Sequence, residues 1–135
     1  MSEQSTFVMV KPDGVERGLV GEILSRFEAK GLRVEDLRLV HVDENLSDRH
    51  YAEHLEKPFY PDLREFITRG PVVAMKLAGL DAVKVARTLM GPTNPIEAPP
   101  GTIRGDYGLI ITENLVHGSD SPESAERELG IWFEE

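Results

Sequence analysis

The sequence contains no cysteine. That absence excludes disulfides, thiolate zinc sites, iron–sulfur clusters and cysteine nucleophiles. Long apolar runs are also missing. The longest ones are short, such as Pro71–Met75, and none approaches the roughly 20 apolar residues that a membrane-spanning helix needs. Residues 1–6 lack the basic start and the apolar stretch of a secretion signal. We therefore expect a cytoplasmic protein with no membrane partner.

Positive charge is scarce. The chain has 15 Lys and Arg against 24 Asp and Glu, which gives a net charge of −9 at pH 7. An acidic protein does not make the broad phosphate contacts of non-specific nucleic-acid binding, so we expect no nucleic-acid partner. A length of 135 residues is typical of one domain, which we assign to residues 1–135.

Hydrophobic periodicity and turn signals predict alternating strands and helices. The predicted strands are Thr6–Lys11, Leu32–Val42, Val72–Leu77 and Asn114–Gly118. The predicted helices are 18–30, Arg49–Leu55 capped by Ser47-Asp48, Asp62–Thr68, Ala82–Met90 capped by Asp81, and 122–132 capped by Ser121. This order contains a β-α-β-β-α-β unit. It predicts an α+β, ferredoxin-like fold with a four-stranded antiparallel sheet and helices mainly on one face.

Two segments stand outside these elements. Pro12-Asp13-Gly14 is a turn signal after the first strand. Residues 91–113 are rich in proline and glycine and form a predicted loop of 23 residues. A loop that long in a compact domain is usually functional.

Two motifs suggest sites but are incomplete. Residues 14–21 place three glycines between a strand and a helix, but they lack the Lys-Ser/Thr ending of a phosphate-binding loop. His50-Tyr-Ala-Glu53-His54 matches H-x-x-E-H, the pattern of an inverted zincin. A zinc hydrolase also needs a third protein ligand, and no downstream motif supplies one. We favour pocket-lining or surface histidines and keep the zinc hydrolase as an alternative.

The strongest signal lies in residues 114–121. His117 stands at the end of a short strand, Gly118 would leave room for a large group to approach the imidazole, and Ser119 is a small polar neighbour. On the last predicted helix, Glu128 lies beside the apolar stripe rather than on the opposite face. A carboxylate placed near a histidine can fix the orientation and tautomer of the ring. Periodicity is equally compatible with a surface carboxylate at the edge of that stripe.

The segment Asn114-Leu-Val-His117-Gly-Ser-Asp-Ser121 resembles the signature around the phosphorylated histidine of the nucleoside diphosphate kinase family. Six further segments resemble motifs of this family and follow one another in the same order: Val10–Gly14, His50–His54, Lys57–Phe59, Arg69–Val72, Met90–Thr93 and Gly101–Asp106. Together they extend over most of the chain.

The resemblance implies a ping-pong phosphoryl transfer that maintains nucleoside triphosphate pools. His117 would take the γ-phosphate of a triphosphate such as ATP or GTP and pass it to a second nucleoside diphosphate. Glu128, helped by Ser119, would orient the imidazole. Mg²⁺ is expected to bridge phosphate oxygens, without a dedicated cage of protein ligands.

The resemblance also implies which residues contact the phosphates. Arg87, Thr93 and Arg104 would hold the terminal phosphates, because guanidinium groups suit phosphate oxygens. Tyr51 and His54 would approach the same groups.

The nucleoside would be held by four other residues, according to the same resemblance. Lys11 and Asn114 would hydrogen-bond the sugar hydroxyls. Phe59 would stack on one face of the base, with Ile111 against the other. Because stacking does not read base edges, broad base tolerance is expected.

Three positions depart from the family pattern: Arg69 replaces a small polar residue, while Tyr60 and Tyr107 stand where phenylalanine is common. The C-terminus, Phe133-Glu-Glu135, is shorter than in some members. We predict a homo-oligomer, with a hexamer ahead of a tetramer. The alternative in another functional class is a nucleotide-binding or scaffold protein without turnover.

Overall fold

The computed structural model describes residues 3–133. Met1-Ser2 and Glu134-Glu135, which belong to the two terminal segments considered above, lie outside the described residues. Four antiparallel strands form one sheet in the order β2-β3-β1-β4. Their bounds are β1 Glu3–Val10, β2 Arg33–Val40, β3 Val72–Leu80 and β4 Val116–Gly118. The predicted α+β fold with a four-stranded antiparallel sheet is confirmed.

The register places β4 beside the end of β1. The central strands β1 and β3 pair from Glu3 opposite Leu80 to Val10 opposite Val73. The three residues of β4 then pair with the last part of β1, so that His117 lies opposite Met9. His117 is thereby attached to the buried part of the central strand β1.

The described residues contain seven α-helices. They are α1 Pro12–Glu16, α2 Val20–Lys30, α3 Glu44–His50, α4 Tyr60–Thr68, α5 Ala82–Met90, α6 Ile103–Tyr107 and α7 Pro122–Phe133. Two single 3₁₀ turns cover Ala52–His54 and Pro95–Glu97. None of these helices is both long enough and apolar enough to cross a membrane.

Helices cover both faces of the sheet, so the prediction of helices mainly on one face is wrong. Val8 and Val10 of β1 belong to a core formed with α2 and α5. Phe7 and Met9 alternate with them and belong to a second core, which includes Ile67 of α4. Successive side chains of a strand point to opposite faces, and because β1 is apolar on both, both faces require cover.

The start of α3 differs from the prediction. Asp43, not Ser47-Asp48, caps this helix: its side chain accepts a hydrogen bond from the Leu46 backbone N–H at 2.8 Å. Ser47 instead lies inside the helix, buried, with its hydroxyl 2.7 Å from the Tyr60 hydroxyl. Both positions carry cap-forming residues, and only the packing against α4 decides between them.

Three further local predictions were tested. Pro12-Asp13-Gly14 opens the short helix α1 rather than a simple turn. Asp81 stands at the N-cap position of α5, as predicted, but its side chain makes no capping hydrogen bond, and its φ is 50°. The cap of α7 is as predicted, since Ser121 Oγ accepts a hydrogen bond from the Ser124 backbone N–H at 3.0 Å.

The segment 91–113 contains regular structure and is not one continuous loop. Thr102 caps α6 by accepting a hydrogen bond from the Gly105 backbone N–H at 2.9 Å. Ile110 and Glu113 form an isolated antiparallel bridge. The abundance of proline and glycine hid this short helix, because its five residues are too few for a periodic signal.

Candidate functional site

His117 presents one ring nitrogen to a buried carboxylate. Its Nε2 lies 3.0 Å from Oε1 of Glu128, which is 6% exposed and projects from α7. An ionised carboxylate only accepts hydrogen bonds, so Nε2 carries the proton of a neutral His117 ring. Nδ1 of the neutral ring therefore keeps its lone pair.

Glu128 is held in the ionised form this assignment requires. Burial alone would raise the pKa of Glu128, but the hydrogen bond and charge of His117 and the hydrogen bond from Ser119 together lower it. Ser119 Oγ donates to Oε1 at 2.6 Å and is itself buried. The structure thus brings His117, Glu128 and Ser119 together.

A cavity of about 180 Å³ opens beside this group. Among the residues singled out from the sequence, those that line it are His117, Glu128, Arg87, Tyr51 and His54. The Arg87 guanidinium donates from Nη1 to the Gly118 carbonyl oxygen at 3.1 Å, close to the catalytic candidate. A guanidinium group and the imidazole of His117 therefore share one cavity.

A second histidine, His50, also lines this cavity and was not among the predicted site residues. It is 5% exposed, and its ring centroid lies 4.7 Å from that of His117 with the rings nearly perpendicular. Its Nδ1 accepts a hydrogen bond from Trp132 Nε1 at 3.0 Å. Burial, followed by the charge of His117, lowers the pKa of His50 to about 3. The H-x-x-E-H spacing drew attention to His50 but suggested the wrong partner.

The zinc pair of His50 and His54, kept above as an alternative, is not assembled. Within residues 3–133, the group of side chains close enough to hold a metal ion is His50, His117 and Glu128, whose ligand atoms lie within 4.8 Å of one another. Two of the four ring nitrogens there are occupied, because His50 Nδ1 accepts from Trp132 and His117 Nε2 donates to Glu128. Coordination by both rings would require a different tautomer of His50.

Arg104 lies behind the cavity and ties three backbone segments together. It is 4% exposed and donates to the carbonyl oxygens of Gly91 at 2.8 Å, Asn114 at 3.2 Å and Val116 at 2.6 Å. Burial, followed by the charge of Arg87, lowers the pKa of Arg104 to about 10. A guanidinium has five N–H donors, so two remain for another acceptor.

Lys11 and Asn114 form a pair at the ends of their strands. Lys11 Nζ donates to Asn114 Oδ1 at 3.0 Å, and Asn114 Nδ2 donates to the carbonyl oxygen of Thr93 at 3.0 Å. Burial and then the charge of Arg104 lower the pKa of Lys11 to about 8. Thr93 itself is exposed. The 91–113 segment is thus connected through Asn114 to the first strand.

The backbone next to this pair has an uncommon conformation. Leu115 has φ of 76°, and the Val116 N–H donates across it to the Asn114 carbonyl oxygen at 2.8 Å. Asp13 accepts from the Leu115 N–H at 3.1 Å, while the Lys11 N–H donates to the Leu115 carbonyl oxygen at 2.8 Å. A leucine is rarely found with positive φ, and these reciprocal bonds hold it there. The sequence contained no signal for this role of Asp13.

Two apolar residues predicted to contact a base are open to solvent. Phe59 is 50% exposed and Ile111 is 52% exposed. The Phe59 ring centroid lies 5.5 Å from that of His54, which connects Phe59 to the rim of the cavity. Exposed aromatic and aliphatic surface at such a rim can accept the face of a planar ligand.

Gly118 serves the core rather than the approach of a ligand. A β-carbon at this position would meet the side chain of Met90, with Sδ at 3.0 Å, and would lie 4.0 Å from Val8 Cγ2. Both are fully buried. The expectation that Gly118 leaves room for a group to reach His117 is therefore wrong, because the added carbon would point into the packed interior.

Comparison with known proteins agrees with this architecture. The model of the nucleoside diphosphate kinase family matches residues 4–135. The nucleoside diphosphate kinase of Exiguobacterium sibiricum is 56% identical over 131 residues, which are 97% of this chain and 95% of that protein. The nucleoside diphosphate kinase of Archaeoglobus fulgidus is 57% identical over 130 residues, 96% and 86% of the respective chains.

Solved structures are similarly close. A halophilic nucleoside diphosphate kinase from Halobacterium salinarum in complex with CDP matches with a TM-score of 0.95 and 50% identity, over 99% of this chain and 90% of that one. A nucleoside diphosphate kinase family protein from Babesia bovis matches with a TM-score of 0.94 and 49% identity, over 96% and 88%. This chain belongs to the nucleoside diphosphate kinase family. The predictions of family and of an enzyme are confirmed.

Proposed function

We propose that this enzyme transfers the γ-phosphate of a nucleoside triphosphate to a nucleoside diphosphate by a ping-pong mechanism through phosphorylated His117. The observation that carries the proposal is the hydrogen bond from His117 Nε2 to Glu128, which leaves Nδ1 unprotonated beside a cavity lined by Arg87. Maintenance of triphosphate pools in the cytoplasm by one domain over residues 1–135 is the role we predict.

The first half-reaction is an in-line displacement at phosphorus. Nδ1 of His117 donates its lone pair to the γ-phosphorus, a P–N bond forms, and the bond to the β–γ bridging oxygen breaks. The leaving diphosphate keeps the electron pair of the broken bond. The ring retains its proton on Nε2, and the carboxylate of Glu128 stabilises the positive charge that develops on the imidazole. In the second half-reaction, an oxygen of another diphosphate displaces His117 from the same phosphoryl group.

The terminal phosphates would be held by cationic guanidinium groups and by neutral donors. Arg87 lines the cavity, and Arg104 retains two N–H donors beyond those bound to carbonyl oxygens. Charge-assisted hydrogen bonds of this type contribute about 1.5–3 kcal/mol each. Tyr51 and His54 line the cavity, and Thr93 is exposed with its carbonyl oxygen bound to Asn114. We assign all three to the same phosphates, as the resemblance implies.

The nucleoside would occupy the outer part of the site. Lys11 and Asn114 are proposed to hydrogen-bond the sugar, while Phe59 and Ile111 provide apolar surface to the base. The half-exposed state of Phe59 and Ile111 supports this assignment, since apolar side chains of that exposure gain from covering. The absence of a requirement to read base edges predicts ATP, GTP and other nucleotides as substrates.

Mg²⁺ is proposed as the ion that bridges the phosphates. The donor chemistry of the cavity fits a hard cation, because the carboxylates of Glu53 and Asp120 line it. These two residues would hold the hydrated ion, which when bound would neutralise phosphate charge. Attack on the phosphorus depends on His117 and Glu128, and the remaining phosphate contacts depend on Arg87 and Arg104.

We also propose a homo-oligomer, a hexamer ahead of a tetramer. Strand β2 lies at the edge of the sheet, and its Leu37 and Leu39 are 45% and 65% exposed. Leu109 is 73% exposed in the segment after α6. Exposed apolar residues on an edge strand favour association. Sedimentation velocity of the purified protein measures the number of subunits, and a monomer would contradict this part of the proposal.

Incubation with Mg²⁺ and γ-labelled ATP tests the reaction itself. We expect an acid-labile label on His117 that is transferred quantitatively to added nucleoside diphosphates. His117→Ala should abolish labelling, whereas His41→Ala, a change at an exposed histidine, should leave it intact. Label on a serine would contradict the proposal, and binding of nucleotide without any label would favour the non-catalytic alternative.

A further inference from the structure

The two histidines of the site carry their proton on the same ring nitrogen, Nε2, but hydrogen-bond the protein through different nitrogens. The indole N–H of Trp132 can only donate, so His50 Nδ1, 3.0 Å away, must be the unprotonated nitrogen of a neutral ring. The proton of His50 is therefore on Nε2. In His117 the proton is also on Nε2, but there it is bound to Glu128, and the free atom is the unprotonated Nδ1. One ring offers the cavity a lone pair and the other offers it an N–H.

A single helix imposes both arrangements. Helix α7 carries Glu128, which holds His117, and Trp132 one turn later, which holds His50. Arg127 of the same helix donates from Nη2 to the carbonyl oxygens of Arg49 at 2.6 Å and His50 at 3.1 Å, and so fixes the end of α3. Both histidines are therefore positioned by one rigid element.

The aromatic core beneath the rings restricts them further. The ring centroid of Phe7 lies 5.8 Å from that of His50, 5.8 Å from that of His117 and 5.1 Å from the Trp132 ring centroid. Phe7 and His50 are buried, so these contacts limit rotation of His50 about its side-chain bonds. The His50 ring is preorganised.

The donor of His50 has no use within the folded chain. Among residues 3–133, the hydrogen bond found for the His50 ring is the one at Nδ1, and Nε2 has none, although His50 lines the cavity. Because burial lowers the pKa of His50 to about 3, the ring remains neutral at physiological pH and keeps this N–H. A preorganised donor that the protein leaves without a partner at the cavity, next to the proposed nucleophile, can bind a ligand acceptor.

Resting on the proposed function, we propose that His50 donates a hydrogen bond from Nε2 to the phosphoryl group during its transfer to and from His117. Trp132 is the positioning residue that fixes the donor tautomer of His50. The ring centroids of His50 and His117 lie 4.7 Å apart, and both rings line the same cavity. An oxygen of a phosphoryl group bound to His117 is two bonds from Nδ1, so phosphorylation brings a hydrogen-bond acceptor towards the neighbouring His50 ring.

A neutral hydrogen-bond donor suits a phosphoryl group that must be transferred again in the second half-reaction. The phosphoryl oxygens carry the charge of the group in the transition state and in the intermediate. A neutral N–H stabilises that charge by a directed hydrogen bond, and the cationic contribution comes separately from Arg87. His50 thereby supports the intermediate without becoming an ion pair that would have to be broken in the second half-reaction.

The tautomer is tested by long-range ¹H–¹⁵N NMR on protein with ¹⁵N-labelled histidine. We expect His50 Nδ1 to have the shift of an unprotonated nitrogen and Nε2 that of a protonated one, and the His50 Nε2 signal to move when ATP and Mg²⁺ phosphorylate His117. In Trp132→Phe, which keeps an aromatic ring, the two tautomers of His50 should become mixed. A proton on His50 Nδ1 in the unchanged protein would overturn the proposal.

Transfer kinetics test the function of the donor with a matched pair of substitutions. The amide of His50→Gln can place an N–H near the position of Nε2, whereas the shorter His50→Asn can reach only the position of Nδ1. In single-turnover experiments with ATP and Mg²⁺, we expect His50→Asn to phosphorylate His117 about 10- to 100-fold more slowly, the range for loss of one hydrogen bond to a charged group. His50→Gln should recover most of this loss, and the nucleotide dissociation constant should change little in either variant.

The outcomes separate this inference from the proposed function and from a purely structural role. Equal rates in both variants and the unchanged protein would overturn the donor role of His50, as would equal losses accompanied by equal losses in unfolding temperature. If the unchanged protein fails to label at His117, the proposed function fails first. The NMR assignment of the His50 tautomer still reports in that case, because it is measured without turnover.

Discussion

Ser119 Oγ and His117 Nε2 hydrogen-bond the same oxygen of Glu128, at 2.6 Å and 3.0 Å. Rotation of the carboxylate would break both bonds at once. This shared acceptor explains how a side chain on α7 can hold an imidazole on β4 in one orientation. It also makes Glu128 the most informative position for substitution near the proposed nucleophile.

Replacement of Glu128 by glutamine should slow phosphorylation of His117 while leaving the fold intact. The amide oxygen can still accept a hydrogen bond, but it lacks the charge that stabilises the imidazole as the P–N bond forms. We expect a rate about 10- to 100-fold lower in rapid-quench experiments, in line with loss of one charge-assisted interaction. Glu126→Gln, at an exposed position of the same helix, is the matched control. Equal rates in the two variants would contradict the role of Glu128.

The lowered pKa of Lys11 predicts that alkaline pH raises the free energy of unfolding but lowers kcat/KM for the nucleotide. The folded-state pKa of Lys11, about 8, is lower than its ordinary value of 10.5. Between these values the unfolded chain binds more protons, so the contribution of Lys11 to the free energy of unfolding increases with pH. The charge offered to a nucleotide is lost over the same range, so kcat/KM should fall above pH 8.

Lys11→Met should remove both dependences, because it has no proton to lose. Lys30→Met, at the exposed end of α2, should retain them. Urea unfolding and initial rates between pH 7 and 10 provide the measurement. A fall of stability and kcat/KM together in the unchanged protein, with no difference in Lys11→Met, would show that another group titrates.

Arg104→Lys should destabilise the fold despite conserving the charge. A lysine has a single ammonium group and cannot span the three carbonyl oxygens that the guanidinium connects. We expect the free energy of unfolding to fall by roughly 3 kcal/mol in urea titrations, since buried carbonyl groups lose their donors. Arg17→Lys removes a single exposed contact, with the carbonyl oxygen of Tyr107, and should change stability by much less. Similar losses of stability in the two variants would show that the three hydrogen bonds of Arg104 do not stabilise the fold.

Gly118→Ala tests whether the glycine accommodates Met90. The added methyl group would overlap the buried Met90 side chain, and overpacking of this type costs about 1–3 kcal/mol. In a Met90→Ala background the same change should cost much less, because the obstructing atoms are gone. Thermal and urea unfolding of the two single variants and the double variant give the coupling energy. An additive result would mean that Met90 is not the reason for the glycine.

The elements that the sequence predicted best are those with strong local signals. Helix α5 has its predicted bounds, Ala82–Met90, because apolar positions and the following glycine define it locally. Helix α3 was misplaced because Asp43 and Ser47 are equivalent as local caps, and only the contact of Ser47 with Tyr60 distinguishes them. The short helix α6 was missed within a segment whose composition indicates a loop.

The residues of the candidate site also differ in how far the sequence alone could identify them. The sequence alone pointed to His117, and its resemblance to a family supplied the phosphate and nucleoside residues as predictions. The pairing of Glu128 with His117 could be suggested from helical periodicity, which left a surface position equally open. The partnership of His50 with Trp132 could not be found, because 82 positions separate the two residues and no spacing rule connects them.

The sequence by itself determined the order of the strands and longer helices, the histidine proposed as nucleophile and the family to which the chain belongs. Tertiary structure alone decided which nitrogen of each histidine carries a proton, why Gly118 is required and how Arg104 is used. The physical reason is that periodicity and caps act between neighbours along the chain, whereas a tautomer, a packing limit or a buried guanidinium depends on atoms that only folding brings into contact.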